Sequence, residues 1–387
     1  MCKPPEPGKL ITMTTTRRGF LTLSATMGLL LAAPRAVADT RASFTLPRPS
    51  GPYPVGVRQR HLVQRGRPDP WVPGVDRELM ISIWYPAREC DGPRAPYLDP
   101  LVARKYTTDG FLGFPPNEID WATPSVTARR NAPANGCHPL VVYTPGGGNS
   151  RALGTVLVED LASHGYVVVT IDHTHETPVE FPGGRLVDAA IPADPPDLEA
   201  AKRLYMDARE ADVHFVLGQL RRQPNADLTR IGLFGHSAGG VIATRVMRAD
   251  RRVQAGANLD GFFEFGENHP ERGVDRPFLL MGAASHPQQP PLFGAVRTHL
   301  SDPTWATFWN ASTGWRLDLA VPHGRHYTYT DAQWFIPQLN VDPTGLIGTV
   351  GQDVVHAQRK ILRYLFDPHL KNRPSRLPTH PDVTIIR

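Results

Sequence analysis

Cysteine is scarce in this chain. There are only three in 387 residues: Cys2, Cys90 and Cys137. That count excludes a small disulfide scaffold and any zinc site built from four cysteines. Aromatic residues make up only 8%, and no basic run is interleaved with them, so a nucleic-acid surface is not indicated. Beyond the N-terminus there is no apolar stretch of the ~20 residues needed to cross a bilayer. No Gly-Lys-Ser or Gly-Lys-Thr follows a glycine-rich loop, which leaves a nucleotide-binding P-loop unsupported. Block charge is missing too. The net charge is +5, and the first 38 residues carry most of it, with Lys3, Lys9, Arg17, Arg18 and Arg35 set against Glu6.

Those 38 residues read as an address. Arg17 and Arg18 stand in Thr-Arg-Arg-Gly-Phe-Leu, an uncharged stretch runs from Leu21 to Ala33, and Ala36-Val37-Ala38 supplies small residues for cleavage. The pattern predicts a twin-arginine export signal over 1–38 and a single catalytic domain over 39–387. In an exported chain, Cys90 and Cys137 invite a disulfide if folding brings them together. A secreted monomer is expected.

From Pro139 onward the pattern alternates between strands and helices. Leu140–Thr144, Tyr166–Ile171, Arg230–Phe234, Gly256–Asp260, Phe278–Met281 and Leu317–Val321 read as short apolar strands. Helices are predicted at Leu153–Ser163, at Val241–Arg248 and near the C-terminus through Val354, Ala357, Ile361, Leu362 and Leu365. A long helix carries Val213, Val216, Leu217 and Leu220 at buried-face spacing. Such alternation implies a mostly parallel sheet with helices on both faces, an α/β fold whose ligands bind at the carboxyl ends of the strands. Upstream, Leu79–Tyr85 alternates as a strand and Arg60–Gln64 forms another, while Asp91–Gly136 reads as loops with a short helix.

Gly235-His-Ser-Ala-Gly239 lies between a predicted strand and a predicted helix. This is the context in which Gly-x-Ser-x-Gly forms a sharp turn that lifts a serine hydroxyl above the sheet edge. Ser237 is therefore the candidate nucleophile, and it needs a base and an acid. Asp260 follows the next strand directly, whereas no carboxylate follows Phe278–Met281 before Asp302. Two histidines follow the last strand, His323 and His326. His326 is favoured because Tyr327 and Tyr329 stand beside it to wall a site. Thr144-Pro-Gly-Gly-Gly-Asn149 follows a strand where an oxyanion loop belongs, so the amides of Gly147 and Ala238 are the candidate oxyanion donors. Asp172-His-Thr-His-Glu176 has metal-ligand spacing, but its position after a central strand favours a polar rim. No metal or organic cofactor is expected. Trp305 and Trp309, from a late aromatic cluster with Phe308 and Trp315, are taken with Tyr327 as substrate-binding, with plain core packing as the alternative for the tryptophans.

Taken together, Arg77-Glu-Leu-Met-Ile-Ser-Ile-Trp-Tyr-Pro86, the Gly-His-Ser-Ala-Gly-Gly elbow, Leu259-Asp260 and His326 followed by Tyr329 and Asp331 resemble the platelet-activating-factor acetylhydrolase family, a secreted lipase-like branch of the α/β-hydrolases. The resemblance spans roughly Leu79 to Leu370. It implies Ser237 as nucleophile, Asp260 as acid, His326 as base, and Gly147 and Ala238 as oxyanion donors. The chain departs from the family at Pro145, where many members have histidine, and at Gly147, where a larger apolar residue occurs in others. The expected activity is hydrolysis of a lipid or small-molecule carboxylic ester through an acyl-enzyme, with transient contact at a lipid interface. The alternatives are acyl transfer by the same residues and a non-catalytic ligand-binding protein on this fold.

Overall fold

A computed structural model describes residues 41–89, 91–288, 292–342 and 344–387. The predicted export signal and Cys90 lie outside the described residues, and Cys137 is exposed. Among the described residues thirteen strands follow in chain order: β1 (Val55–Pro68), β2 (Asp76–Pro86), β3 (Arg94–Pro96), β4 (Ser125–Arg130), β5 (His138–Thr144), β6 (Val167–Asp172), β7 (Val179–Phe181), β8 (Arg185–Val187), β9 (Ala226–His236), β10 (Val253–Leu259), β11 (Phe278–Ala283), β12 (Arg316–Val321) and β13 (Thr384–Ile385). The helices are α1 (Pro100–Asp109), α2 (Thr155–Ser163), α3 (Leu198–Gln219), α4 (Ala238–Ala249), α5 (Pro303–Ala311), α6 (Ala332–Phe335) and α7 (Val354–Lys371). Among the described residues no helix is long and apolar enough to cross a membrane.

Eleven strands form one sheet in the order β13-β12-β11-β10-β9-β5-β6-β2-β1-β4-β3, and β7 and β8 make a separate ribbon. From β6 across to β12 every neighbouring pair is parallel. The early strand β2 joins β6 antiparallel, with Met80 opposite Asp172 and Trp84 opposite Val168. The mostly parallel α/β architecture is thus as the alternation of elements implied. The apolar runs at its centre, Leu-Val-Val on β5 and Val-Val-Val on β6, are buried on both sides.

Successive residues of these strands feed two cores. Val141 and Tyr143 face α2 and α7, meeting Leu157, Leu161, Ile361 and Leu365. Leu140 and Val142 face α3 and α4, meeting Val213, Val216, Val241 and Ile242. Each face is the apolar stripe that the helical spacing marked out. A sheet covered this way has only the carboxyl-terminal ends of its parallel strands left to build a cleft.

The segment read as loops with a short helix contains more order than that. It holds β3, α1 and β4, and β4 pairs parallel with β1 at Gly56–Arg129 and Val57–Arg130. Four of the six residues in its sequence, Ser-Val-Thr-Ala-Arg-Arg, are polar. It is held from outside, in part by the Glu159 carboxyl of α2, which accepts the Ala128 amide at 2.5 Å.

Candidate active site

β9 ends at His236 and α4 begins at Ala238, and Ser237 makes the turn between them at φ 54°, ψ −127°. A non-glycine residue in such a conformation costs on the order of 1–3 kcal/mol, and it persists only where neighbours over-determine it. Here the Ser237 amide donates to the Leu259 carbonyl at 2.9 Å, and the Ser237 carbonyl accepts the Gly240 amide at 2.9 Å. The helix can start so close to the sheet because residue 239 lacks a side chain. A Cβ there would lie 2.0 Å from the Thr144 carbonyl oxygen.

Asp260 follows β10 and is also left-handed, at φ 56°. Its amide donates to the Met281 carbonyl at 2.8 Å. One carboxylate oxygen accepts the Ala283 amide at 3.2 Å, with Arg297 at 3.6 Å. The other lies 2.6 Å from Nδ1 of His326. His326 opens a short 3-10 turn after β12, its ring stacked on Phe262 at 5.0 Å and 17°. Of the two candidate histidines, this one meets Asp260; His323 is exposed on the loop surface. With Nδ1 engaged by the carboxylate, Nε2 is the nitrogen left to accept a proton. Ser237 and His326 line the same cleft. Beneath them His236 packs its ring 4.5 Å from that of His326 and bonds through Nε2 to the His326 carbonyl at 2.8 Å. Burial, and then the neighbouring His326, press the His236 pKa well below the imidazole range, so it stays neutral.

The cleft encloses about 790 Å³ including its open mouth. Gly147 and Ala238 line it, and so does Tyr327. The two tryptophans expected beside Tyr327 do not. Trp305 is fully buried among apolar residues of α4 and the sheet, and its Nε1 donates to the Gly261 carbonyl at 2.9 Å. Trp309 stacks on His299 at 4.1 Å and carries Arg316 over its face at 4.8 Å. The reason is helical register: α5 turns Trp305 and Phe308 into the core that covers the sheet and leaves Trp309 on its flank. The apolar wall of the cleft comes instead from Phe262 and Phe265, just past Asp260, with Ile191 and Met206.

Two further residues at the site, Tyr205 and Arg209, went unread in the sequence, and they meet Glu176 of the expected polar rim. Arg209 is completely buried and donates to the carbonyls of Pro145 at 2.8 Å and Gly146 at 3.0 Å. Its Nε bonds Glu176 at 2.8 Å, and Tyr205 donates to the same carboxylate at 2.5 Å. A signal existed. Tyr205, Arg209 and Asp212 stand at helical spacing and continue the buried stripe of Val213 and Val216. The Asp172–Glu176 segment has its side chains occupied separately. Asp172 pairs with Arg151, His173 lies 2.9 Å from Asp212 and 3.0 Å from the Thr144 hydroxyl, and Glu176 holds Arg209. The segment does border the cleft, at Glu176. Burial alone would raise the pKa of Asp212, but Arg77 and His173 outweigh it and hold the carboxylate ionised.

Residues 118–179 match the family model described as platelet-activating factor acetylhydrolase, isoform II. A probable 1-alkyl-2-acetylglycerophosphocholine esterase of Arthroderma benhamiae is 28% identical over 326 residues, covering 78% of this chain and 80% of that protein. A platelet-activating factor acetylhydrolase of Cavia porcellus is 24% identical over 263 residues, 58% of this chain and 57% of that one. Among solved structures, a ferulic acid esterase from Streptomyces cinnamoneus superposes with a TM-score of 0.75 at 37% identity, over 89% of this chain and 99% of that one.

Proposed function

The chain belongs to the platelet-activating-factor-acetylhydrolase-like α/β-hydrolases and is a carboxylic ester hydrolase, and on that basis we propose that it works through an acyl-enzyme on Ser237. The observation that carries this reading is the 2.6 Å contact between Asp260 and His326, at a cleft that Ser237 also lines. The Ser237 hydroxyl adds to the ester carbonyl while Nε2 of His326 takes its proton. Asp260 remains ionised and stabilises the imidazolium. The carbonyl oxygen becomes an alkoxide, bound by the amides of Ala238 and Gly147. Collapse expels the alcohol, which receives the proton from His326. Water then repeats the sequence on the acyl-serine and releases the acid. The positive end of α4 adds to the stabilisation of the oxyanion.

The acyl group is short or flat, set between Phe262, Phe265, Tyr205 and Tyr327. This fits the acetyl and feruloyl esters named for the relatives. Hydrolysis is favoured over acyl transfer because the His326 side chain is 22% exposed and open to water. Export by the twin-arginine route is part of the same proposal, on the strength of Arg17-Arg18-Gly-Phe-Leu21 and the apolar stretch after it.

Ser237→Ala is expected to lower kcat/KM for p-nitrophenyl butyrate by about 10⁴-fold or more, with loss of fluorophosphonate labelling. A variant that kept full activity would remove Ser237 from the mechanism.

A further inference from the structure

Gly147 and Arg209 are far apart in sequence, yet the second determines where the first directs its amide. In the loop Pro145-Gly146-Gly147 only Pro145 carries a side chain, and the two glycines that follow give the backbone wide freedom. What restrains it is the guanidinium of Arg209, which lies beneath the loop at 0% exposure. One terminal nitrogen holds the Pro145 carbonyl at 2.8 Å and the other the Gly146 carbonyl at 3.0 Å. The Asn149 amide donates to the same Gly146 oxygen at 3.2 Å. In a planar trans peptide the C=O and the following N–H point in opposite directions. A Gly146 carbonyl drawn down to Arg209 therefore turns the Gly147 N–H the other way, to the side of the loop that faces the cleft. The loop is also close enough for this to matter, since a Cβ on Gly146 would lie 3.2 Å from the Cβ of Ser237.

Arg209 is itself fixed. Glu176 takes its Nε through both carboxylate oxygens, at 2.8 and 3.0 Å, and Tyr205 donates its hydroxyl to Glu176. Tyr205 and Arg209 sit one turn apart on α3, so the brace is anchored to a packed helix. A planar guanidinium suits this task. It offers parallel donors to two adjacent carbonyls while a third N–H meets the carboxylate, and an ammonium cannot reproduce that fork.

We infer that Arg209, oriented by Glu176, is the positioning residue of the oxyanion site: it holds the carbonyls of Pro145 and Gly146 so that the Gly147 amide is preset toward the developing alkoxide. The inference rests on the reading of Ser237 as the nucleophile. Arg209 does not touch the ester. It acts through the backbone and keeps the amide from having to reorient as charge develops.

The test uses the full chain with Arg209→Ala, Arg209→Lys and, alongside them, Ser237→Ala. For p-nitrophenyl butyrate, Arg209→Ala is expected to lower kcat about 100-fold while KM stays close to wild type. The inhibition constant of an alkyl trifluoromethyl ketone, whose adduct carries an oxyanion, should rise by a similar factor. That of the product butyrate should not change. Added guanidinium ion should restore much of the lost kcat, and tetramethylammonium should restore none. Arg209→Lys keeps the charge but not the fork, and it should lose about tenfold in kcat while remaining folded. If Arg209→Ala does not fold, Arg209→Lys with the two inhibitors carries the test. Wild-type kcat in a folded variant, or a kcat loss with no weakening of the ketone, would overturn the positioning role. Should Ser237→Ala itself retain activity, the nucleophile reading fails first, and that result is separate from the outcome at Arg209.

Discussion

Gly147 shows how tightly a single residue is specified at this site. A Cβ on it would stand 2.6 Å from the Tyr205 hydroxyl, and that hydroxyl is tied to Glu176. The space beside Gly147 is occupied by a tyrosine from α3. Gly147→Ala must therefore displace either the loop or the tyrosine, and overpacking of this kind costs about 1–3 kcal/mol. The expected result is a drop in kcat/KM of about tenfold with the fold retained. The double variant Gly147→Ala/Tyr205→Phe, which removes the colliding oxygen, should recover part of it in steady-state assays with p-nitrophenyl butyrate. Equal activity in Gly147→Ala and wild type would mean that the loop has more room than its contacts indicate.

Among the elements, α2 is held by buried carboxyl groups. Asp331 accepts the amides of Thr155 and Val156 at 2.9 Å each and so caps the first turn. Glu159, one turn further on, reaches out to the Ala128 amide of β4. Burial raises the Glu159 pKa to about 8, against smaller lowering effects of the Ala128 amide and Arg359. Burial likewise lifts Asp331 to about 7. A carboxyl whose pKa is raised on folding keeps its proton where the unfolded chain has lost it. Its contribution is complete below the unfolded value, near 4.5 for Glu159, and is lost as pH climbs through the folded value. The thermal midpoint of the wild type should therefore fall between about pH 5 and about pH 8. Glu159→Gln keeps an acceptor for Ala128 but does not titrate, so its midpoint should fall less over the same range. Parallel melting curves for the two proteins would deny Glu159 this role.

The molecule balances two apolar cores across one sheet, and the sheet has two edges to protect. At one edge the C-terminal β13 pairs antiparallel with β12 through Leu319–Ile385 and Ala320–Thr384, and the Ile386 amide adds a bond to the Asp318 carbonyl at 3.0 Å. β12 leads directly into the loop that carries His326. Removing residues 379–387 would bare the backbone of β12, and an unpaired edge is a template for association between chains. The truncated protein should melt at a lower temperature and scatter light increasingly with concentration, while its folded fraction still hydrolyses ester. A truncated chain that stayed monomeric with an unchanged midpoint would show that β13 does not guard the edge.

Whatever depends on neighbours along the chain could be read from residue order. The elbow around Ser237 was legible because its glycines, its strand and its helix are contiguous, and because no other residue type at 239 leaves room for the Thr144 carbonyl. Asp260 and His326 were legible as loop residues after two parallel strands, since that topology delivers such loops to one edge of the sheet. Whatever depends on distance was settled by the folded chain. It brought Arg209 under the Pro145–Gly146 loop, seated β4 through contacts from β1 and α2, and sent Trp305 into the core rather than the cleft. One cause underlies all three. A local motif carries its own steric constraints, whereas a buried cation, a polar strand such as β4 or an indole acquires its role from partners that only folding supplies.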